Sequence, residues 1–263
     1  MRADQAVFIH YHIFKNAGTS VDFALQQLFQ SQWTTYEGTH AHDVLSSQDL
    51  EQFLEKSPNI KAVSTHLARP PLPYEGACPI VFLRHPIARA KSVFEFVRRD
   101  PNQPNHPIVS RYSFQQYIEA VLDNKIHGGV VINNYQTIHL SDASFRDDSI
   151  LKAKAIESDL EQAKKLLSIW PAFGIVDRYE DSMALLNSVY RKQLNGQTLP
   201  MSWLNKSREH TSIQDIQLDK IRHLLGAELY RELCNANNFD SELYYWGLER
   251  FLDSYKAHIG NID

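Results

Sequence analysis

The stretch AVFIHYHIF (6–14) runs directly into KNAGTS and then VDFALQQLF, and this succession constrains the fold more than any other feature. Val7, Ile9, Tyr11 and Ile13 share one face of an extended segment, and Phe8, His10, His12 and Phe14 share the other. Bulky residues on both faces belong to a strand covered on both sides, as in a parallel sheet. The period then changes. Val21, Leu25, Leu28 and Phe29 fall on one helical stripe, with Thr19 or Ser20 as a natural N-cap. Strand, tight turn and helix form the first part of a parallel crossover unit.

A second unit follows. KAVSTH (61–66) is a short strand and CPIVFLRH (78–85) a clear apolar one. Pro86 suits the first turn of a helix in which Ile87, Ala90, Val93, Phe94 and Val97 recur at helical spacing. Residues 100–113, rich in Pro and Asn, read as a long loop of the kind that serves as a lid or binding segment. Helices are expected over FQQYIEAVL, from Ser149 to Trp170, over EDSMALLNSVYRKQL, and at roughly 214–235 and 239–257. AFGIVDRY (172–179) reads as one more strand. Strands alternating with helices predict an α/β fold with a central parallel sheet flanked by helices and a helix-rich C-terminal half, organised as one domain over 1–263. Ligands of such sheets bind at the carboxyl ends of the strands, where both motif turns fall.

The turn HIFKNAGTS (12–20) has the parts of an anion site. Gly18 permits close backbone approach, Thr19 and Ser20 bring hydroxyls, Lys15 brings a full charge, and a helix N-terminus presents free N–H groups. The net charge is -4, so this is a local cluster and not part of a global nucleic-acid-binding surface. A nucleotide kinase loop needs lysine directly after its second glycine. Here Lys15 precedes Gly18 by three residues, and no strand ending in Asp follows, so the triphosphate–Mg²⁺ equipment is missing. An ordinary capped helix with a surface lysine is the bland alternative. The second turn weighs against it, because Arg84 closes a strand, placed for bidentate phosphate contact, with Ser92 eight residues on.

Together, HIFKNAGTS and VFLRHPIARAKSVF resemble the two nucleotide-binding motifs of sulfotransferases that use 3'-phosphoadenosine-5'-phosphosulfate (PAPS), most closely the carbohydrate branch that includes the uronyl and heparan sulfate 2-O-sulfotransferases. STHL, NNYQTIHLS, FGIVDRYEDSM and LNKSREH match more loosely. Phe14 and Asn16 depart from the family pattern, which favours proline and threonine there. The resemblance implies a P-loop-like domain with the 5'-phosphosulfate on Lys15, Asn16, Ala17, Gly18, Thr19 and Ser20, and the 3'-phosphate on Arg84 and Ser92. It requires no metal, and its product nucleotide is 3'-phosphoadenosine-5'-phosphate (PAP).

Sulfuryl transfer needs a cation at the leaving phosphate, a base for the acceptor hydroxyl, and exclusion of water. Lys15 suits the first task. His66, after a strand and in a context like that of the family's catalytic histidine, suits the second, since imidazoles titrate near neutrality. The chain has 12 histidines, and His10 and His12 are rivals. Lys206 and Arg208 in the late loop LNKSREH are candidates for the 3'-phosphate region, with a plain solvated loop as the alternative. Arg98, Arg99 and Arg111 form a wall for an anionic carbohydrate, and Asn134 and Gln136 are candidate ligands for sugar hydroxyls. Competing readings keep the donor with a lipid, peptide or small-metabolite acceptor, or keep the fold as a binding module without turnover. The two cysteines are expected to be reduced thiols, no segment is long and apolar enough to span a membrane, and no secretory signal is evident, which together predict a cytoplasmic protein.

Overall fold

The computed structural model describes residues 6–40, 42–146, 149–201 and 214–260. It is an α/β protein, helix-rich, with a small parallel sheet. Strands β1 (Phe8–Tyr11), β2 (Trp33–Thr35), β3 (Ala62–Thr65) and β4 (Cys78–Ile80) form one sheet in the order β2-β3-β1-β4, every pair parallel. Beyond Val81 the chain continues as β5 (Phe82–Leu83), which pairs with β6 (Gly174–Ile175), and Gly174 N–H donates to Val81 O at 2.8 Å. From β1 the chain leaves toward β2 on one side, whereas from β3 it crosses to β4 on the other. The carboxyl end of β1 is therefore the point where the strand order reverses, the place where sheets of this type hold ligands.

Helix α1 (Gly18–Phe29) carries the chain from β1 to β2, α2 (Ser47–Lys56) from β2 to β3, and α3 (Pro86–Arg99) leaves β5. Ser46 and Asp49 close α2 with a reciprocal capping box, and Leu50 and Leu54 bury its inner stripe. Ile9, Tyr11, Val63 and Ile80 are fully buried at the centre of the main core. The far side of α3 builds a second cluster from Val93, Phe94 and Val97 with residues of α4 (His106–Val109), α5 (Phe114–Leu122), α9 (Gln214–Leu225) and α10 (Ala227–Asn235). Helices α6 (Tyr135–His139), α7 (Glu157–Ile169) and α8 (Tyr179–Val189) bury residues in the main core, and α11 (Asn238–His258) packs on all three.

Several boundaries differ from the sequence expectation. The long loop at 100–113 contains α4; Asp100 accepts hydrogen bonds from Asn102 and Gln103, and Val109 is fully buried, so the segment is packed into the second core. The helix expected from Ser149 begins only at Glu157. The strand expected over 172–179 shrinks to Gly174–Ile175 before a single helical turn. The run at 214–235 divides at Gly226, whose φ of 76° an α-helix cannot accommodate. Among the described residues, no helix is long and apolar enough to cross a membrane.

Candidate functional site

The turn after β1 is held in an unusual backbone conformation by buried side chains. Lys15 (φ 67°) and Ala17 (φ 63°) both lie in the left-handed region, which costs a non-glycine residue on the order of 1 kcal/mol or more. Between them Asn16 is 2% exposed, and its Nδ2 donates to Phe82 O at 2.6 Å and to Gln136 Oε1 at 2.7 Å. Arg84 Nη1 donates to Lys15 O at 3.0 Å, and the fully buried Arg89 donates through Nη1 to Phe14 O at 3.3 Å. Two charged donors thus draw successive carbonyls toward α3. Because a trans peptide sets N–H and C=O antiparallel, the Lys15 N–H points the opposite way.

The start of α1 departs from expectation in a way that matters. Neither Thr19 nor Ser20 caps it; the N-cap is Ala17, without a side-chain bond. Ser20 is buried and hydrogen-bonded with the Tyr179 phenol, so Thr19 presents the exposed hydroxyl of this turn. Ala17 O accepts from Ser20 and Val21, directing the Gly18 N–H out of the helix end. Among the described residues, no partner takes the backbone N–H of Lys15, Ala17, Gly18 or Thr19. An uncapped helix end beside a turn of this kind leaves N–H donors of the sort that bind anions elsewhere.

Positive groups lie along the α3 side of the turn. Lys15 Nζ sits 4.4 Å from the centre of the Phe96 ring. Burial first, and then the neighbouring Arg84 and Arg99 guanidinium groups, lower the Lys15 pKa from 10.5 to about 8. Arg84 Nε is buried without a hydrogen-bond partner, and no carboxylate lies within ion-pair distance of Arg84 or Lys15 among the described residues. Helical spacing puts Arg89, Ser92, Phe96 and Arg99 on one stripe of α3. Arg89 and Phe96 touch residues 14–15, so Ser92, between them and half-buried, looks toward the same turn. Arg99 is exposed like Arg98 and Arg111 and pairs with Glu95 at 3.1 Å, but its charge still reaches Lys15.

On the other side of the turn lies a histidine cluster. Parallel register pairs Tyr11 with Thr65, and His12 N–H donates to Thr65 O at 2.9 Å, which carries His66 to the side of His12. Their ring centres are 3.8 Å apart. His10 Nδ1 is 2.7 Å from Asp22 Oδ1, and His12 Nδ1 lies 3.0 Å from Asp22 Oδ2, at ion-pair distance but without hydrogen-bond alignment. These groups bring three potential metal-donor atoms within 4.8 Å of one another, but the carboxylate already lies within reach of both Nδ1 atoms. The two histidines draw the Asp22 pKa down against its burial, whereas burial lowers that of His12 to about 4. The opposite edge of the His12 ring packs against the Cα of Gly18. His10 is 1% exposed. Both rivals for the base role are thus committed to packing, and His66 is the histidine of this cluster with an exposed ring edge.

Two expected acceptor ligands are corrected. Gln136 is completely buried: Oε1 accepts from Asn16 Nδ2 and from Arg84 N–H at 2.9 Å, and Nε2 donates to Arg84 O at 2.9 Å. It braces the two motif turns against each other and meets no solvent. Asn134 is buried as well, bonded to Asn237, Asn238 and the Asp240 N–H at the start of α11. Lys206 and Arg208 lie outside the described residues. Sequence reasoning missed Arg89, Asp240 and Glu37. The signal for Arg89 was its place one helical turn before Ser92.

No family model matches the chain. A protein of Archaeoglobus fulgidus, described only as uncharacterized, is 25% identical over 264 residues, spanning 96% of this chain and 98% of that protein. The likeness extends over nearly the whole of both chains and brings no activity with it.

Proposed function

We propose that this chain is a PAPS-dependent sulfotransferase on a P-loop-like α/β scaffold, moving a sulfuryl group to the hydroxyl of an anionic acceptor, a carbohydrate in the first instance. The observation that carries the reading is the uncapped start of α1, in a turn that brings Lys15 beside Arg84 and that the His12 ring links to the exposed ring of His66. The cradle has N–H donors and cations but not the lysine placement of a kinase loop, which favours a phosphosulfate over a metal-bound triphosphate. In this reading Lys15 meets charge developing on the leaving phosphate, Gly18 and Thr19 hold the 5' end, and Arg84 and Ser92 hold the 3'-phosphate. His66 takes the acceptor proton. The 5' hold is from main-chain N–H groups, since the side chains of Asn16 and Ser20 are turned inward. With Gln136 and Asn134 buried, the acceptor wall reduces to Arg98, Arg99 and Arg111, which selects for acidic acceptors.

The test is calorimetric titration with PAP in EDTA, with ATP as competitor, followed by labelled PAPS with a panel of sulfated and desulfated polysaccharides, lipids and peptides. Lys15→Ala or Arg84→Ala is expected to weaken PAP about 10- to 100-fold, the range of a lost charged hydrogen bond. His66→Ala should leave PAP affinity intact and abolish transfer. Folded protein that ignores PAP overturns the reading. Binding without transfer to any acceptor favours a module.

A pH dependence follows from Lys15. Its free-state pKa of about 8 rises once an anion is bound, since opposite charge favours the protonated amine. PAP affinity should therefore fall as pH rises from about 7 through about 8, and be accompanied by proton uptake there. Calorimetry at pH 7 and pH 9 in buffers of different ionisation enthalpy checks this. In Lys15→Met the uptake should vanish.

A further inference from the structure

We infer that Glu37 is the positioning residue that fixes which ring nitrogen of His66 carries the proton, leaving Nε2 as the base. The inference rests on the proposed sulfuryl transfer for its chemical step, but not for its geometry. Tyr36 N–H donates to Ser64 O at 3.0 Å, extending the β2–β3 ladder by one residue and setting Glu37 beside His66. The Glu37 carboxylate then holds the residue twice. It accepts the His66 main-chain N–H, at 3.0 Å to Oε1 and 3.1 Å to Oε2, and lies 2.8 Å from the ring Nδ1.

An ionised carboxylate only accepts, so Nδ1 must be the protonated nitrogen, and the lone pair is at Nε2. Among the described residues, no partner occupies Nε2. The rest of the frame is fixed too. Arg69, 1% exposed and tied through Nε to Ser144 Oγ at 3.1 Å, donates to His66 O at 2.8 Å. The His12 ring lies on one side of the imidazole. Stability does not explain the arrangement, because a histidine–carboxylate contact whose side chains are 43% and 34% exposed contributes little to folding. Orientation does: main chain, ring face and ring nitrogen are all set, and the remaining edge faces out.

The acceptor O–H gives its proton to His66 Nε2 as its oxygen forms a bond to sulfur. The bond from sulfur to the bridging oxygen of the 5'-phosphate breaks, and its electron pair stays on that phosphate, released as PAP. The imidazolium left at His66 is stabilised by the Glu37 carboxylate, which is not itself protonated.

The experiment uses the full chain with ¹⁵N-labelled histidine, His66 being assigned by the signals lost in His66→Gln. In wild type at alkaline pH, two-bond ¹H–¹⁵N correlations should show Nδ1 protonated and Nε2 bare. Glu37→Gln keeps the shape but presents an amide that can donate to Nδ1, so a shift toward the Nε2-protonated form is expected. With labelled PAPS and an acceptor that turns over, kcat should fall about 100-fold or more, the scale of general-base catalysis. KM for PAPS and PAP affinity should stay within about twofold, because the cradle is untouched. Glu37→Asp should recover part of kcat and the Nδ1-protonated form. An unchanged tautomer in folded Glu37→Gln, or an unchanged kcat, overturns the inference. If wild type binds no PAP, sulfuryl transfer falls while the tautomer measurement still decides the role of Glu37.

Discussion

Gly18→Ala is expected to weaken PAP affinity at least about tenfold and to lower the melting temperature by several degrees. A Cβ built on Gly18 falls 1.8 Å from His12 Nε2, 2.0 Å from Cδ2 and 2.3 Å from Cε1, inside the space of the ring. Gly18 is needed here for close approach, not for an unusual φ. The His12 ring has nowhere to go, with His66 3.8 Å away on one side, His10 5.0 Å away on another, and Asp22 at its Nδ1. Either the ring leaves its place or the first turn of α1 moves. Overpacking of this kind costs about 1–3 kcal/mol, which for a chain of this size is about 2–4 °C per kcal/mol. A shift of the helix start by a fraction of an ångström redirects the N–H groups of Gly18 and Thr19, so affinity should fall at least about tenfold. Thermal unfolding and PAP titration read the two effects separately. His12→Ala in the same chain removes the clash, so the double variant should be more stable than the sum of the single changes predicts. Wild-type affinity in Gly18→Ala would mean that the start of α1 is not where the nucleotide binds.

What could be read from the sequence, and what could not, divides along physical lines. The β1–turn–α1 unit was legible because its period changes from two to 3.6 at a turn that both motifs mark. The start of α3 was legible because Pro86 suits a first turn, and α5 because its apolar residues recur at helical spacing; its Ser113 cap was read as part of the preceding loop. Strand β2 was missed: with three residues it is too short to show an alternation, and Glu37 was lost with it. Gln136 and Asn134 were placed on the surface because amides are mostly exposed. Here each is buried with its hydrogen-bonding groups engaged, and those partners lie between 52 and 120 residues away in sequence. The uncapped α1 start was hidden by the presence of two good capping residues, Thr19 and Ser20, one exposed and the other turned toward Tyr179.

Asp240→Ala should be the most destabilising single change in the site, and it should act on the nucleotide turn from α11. Asp240 is completely buried. Its Oδ1 accepts from Thr137 N–H and Thr137 Oγ1, both at 2.8 Å, and its Oδ2 accepts from Gln136 N–H at 3.0 Å and Gln136 Nε2 at 3.3 Å. It thereby caps the first turn of α6 and holds Gln136, whose Oε1 in turn holds Asn16 and the Arg84 N–H. Truncation leaves several buried donors without an acceptor, each worth about 1–3 kcal/mol and not additive, so a loss of about 3–5 kcal/mol is expected. Asp240→Asn keeps one acceptor oxygen and should fall between. Denaturant unfolding measures the loss, and PAP titration of the surviving folded protein measures how far the turn has loosened. Glu242, two residues on in the same helix, provides the comparison. Its carboxylate meets Lys164 at 2.7 Å but is 60% exposed, so Glu242→Ala should cost under about 1 kcal/mol and leave PAP affinity alone. If the two variants lost stability equally, the path from α11 through Gln136 to the turn would carry no weight. The left-handed backbone at Lys15 and Ala17 would then have to be maintained by Arg84, Arg89 and the bond from Asn16 to Phe82 O.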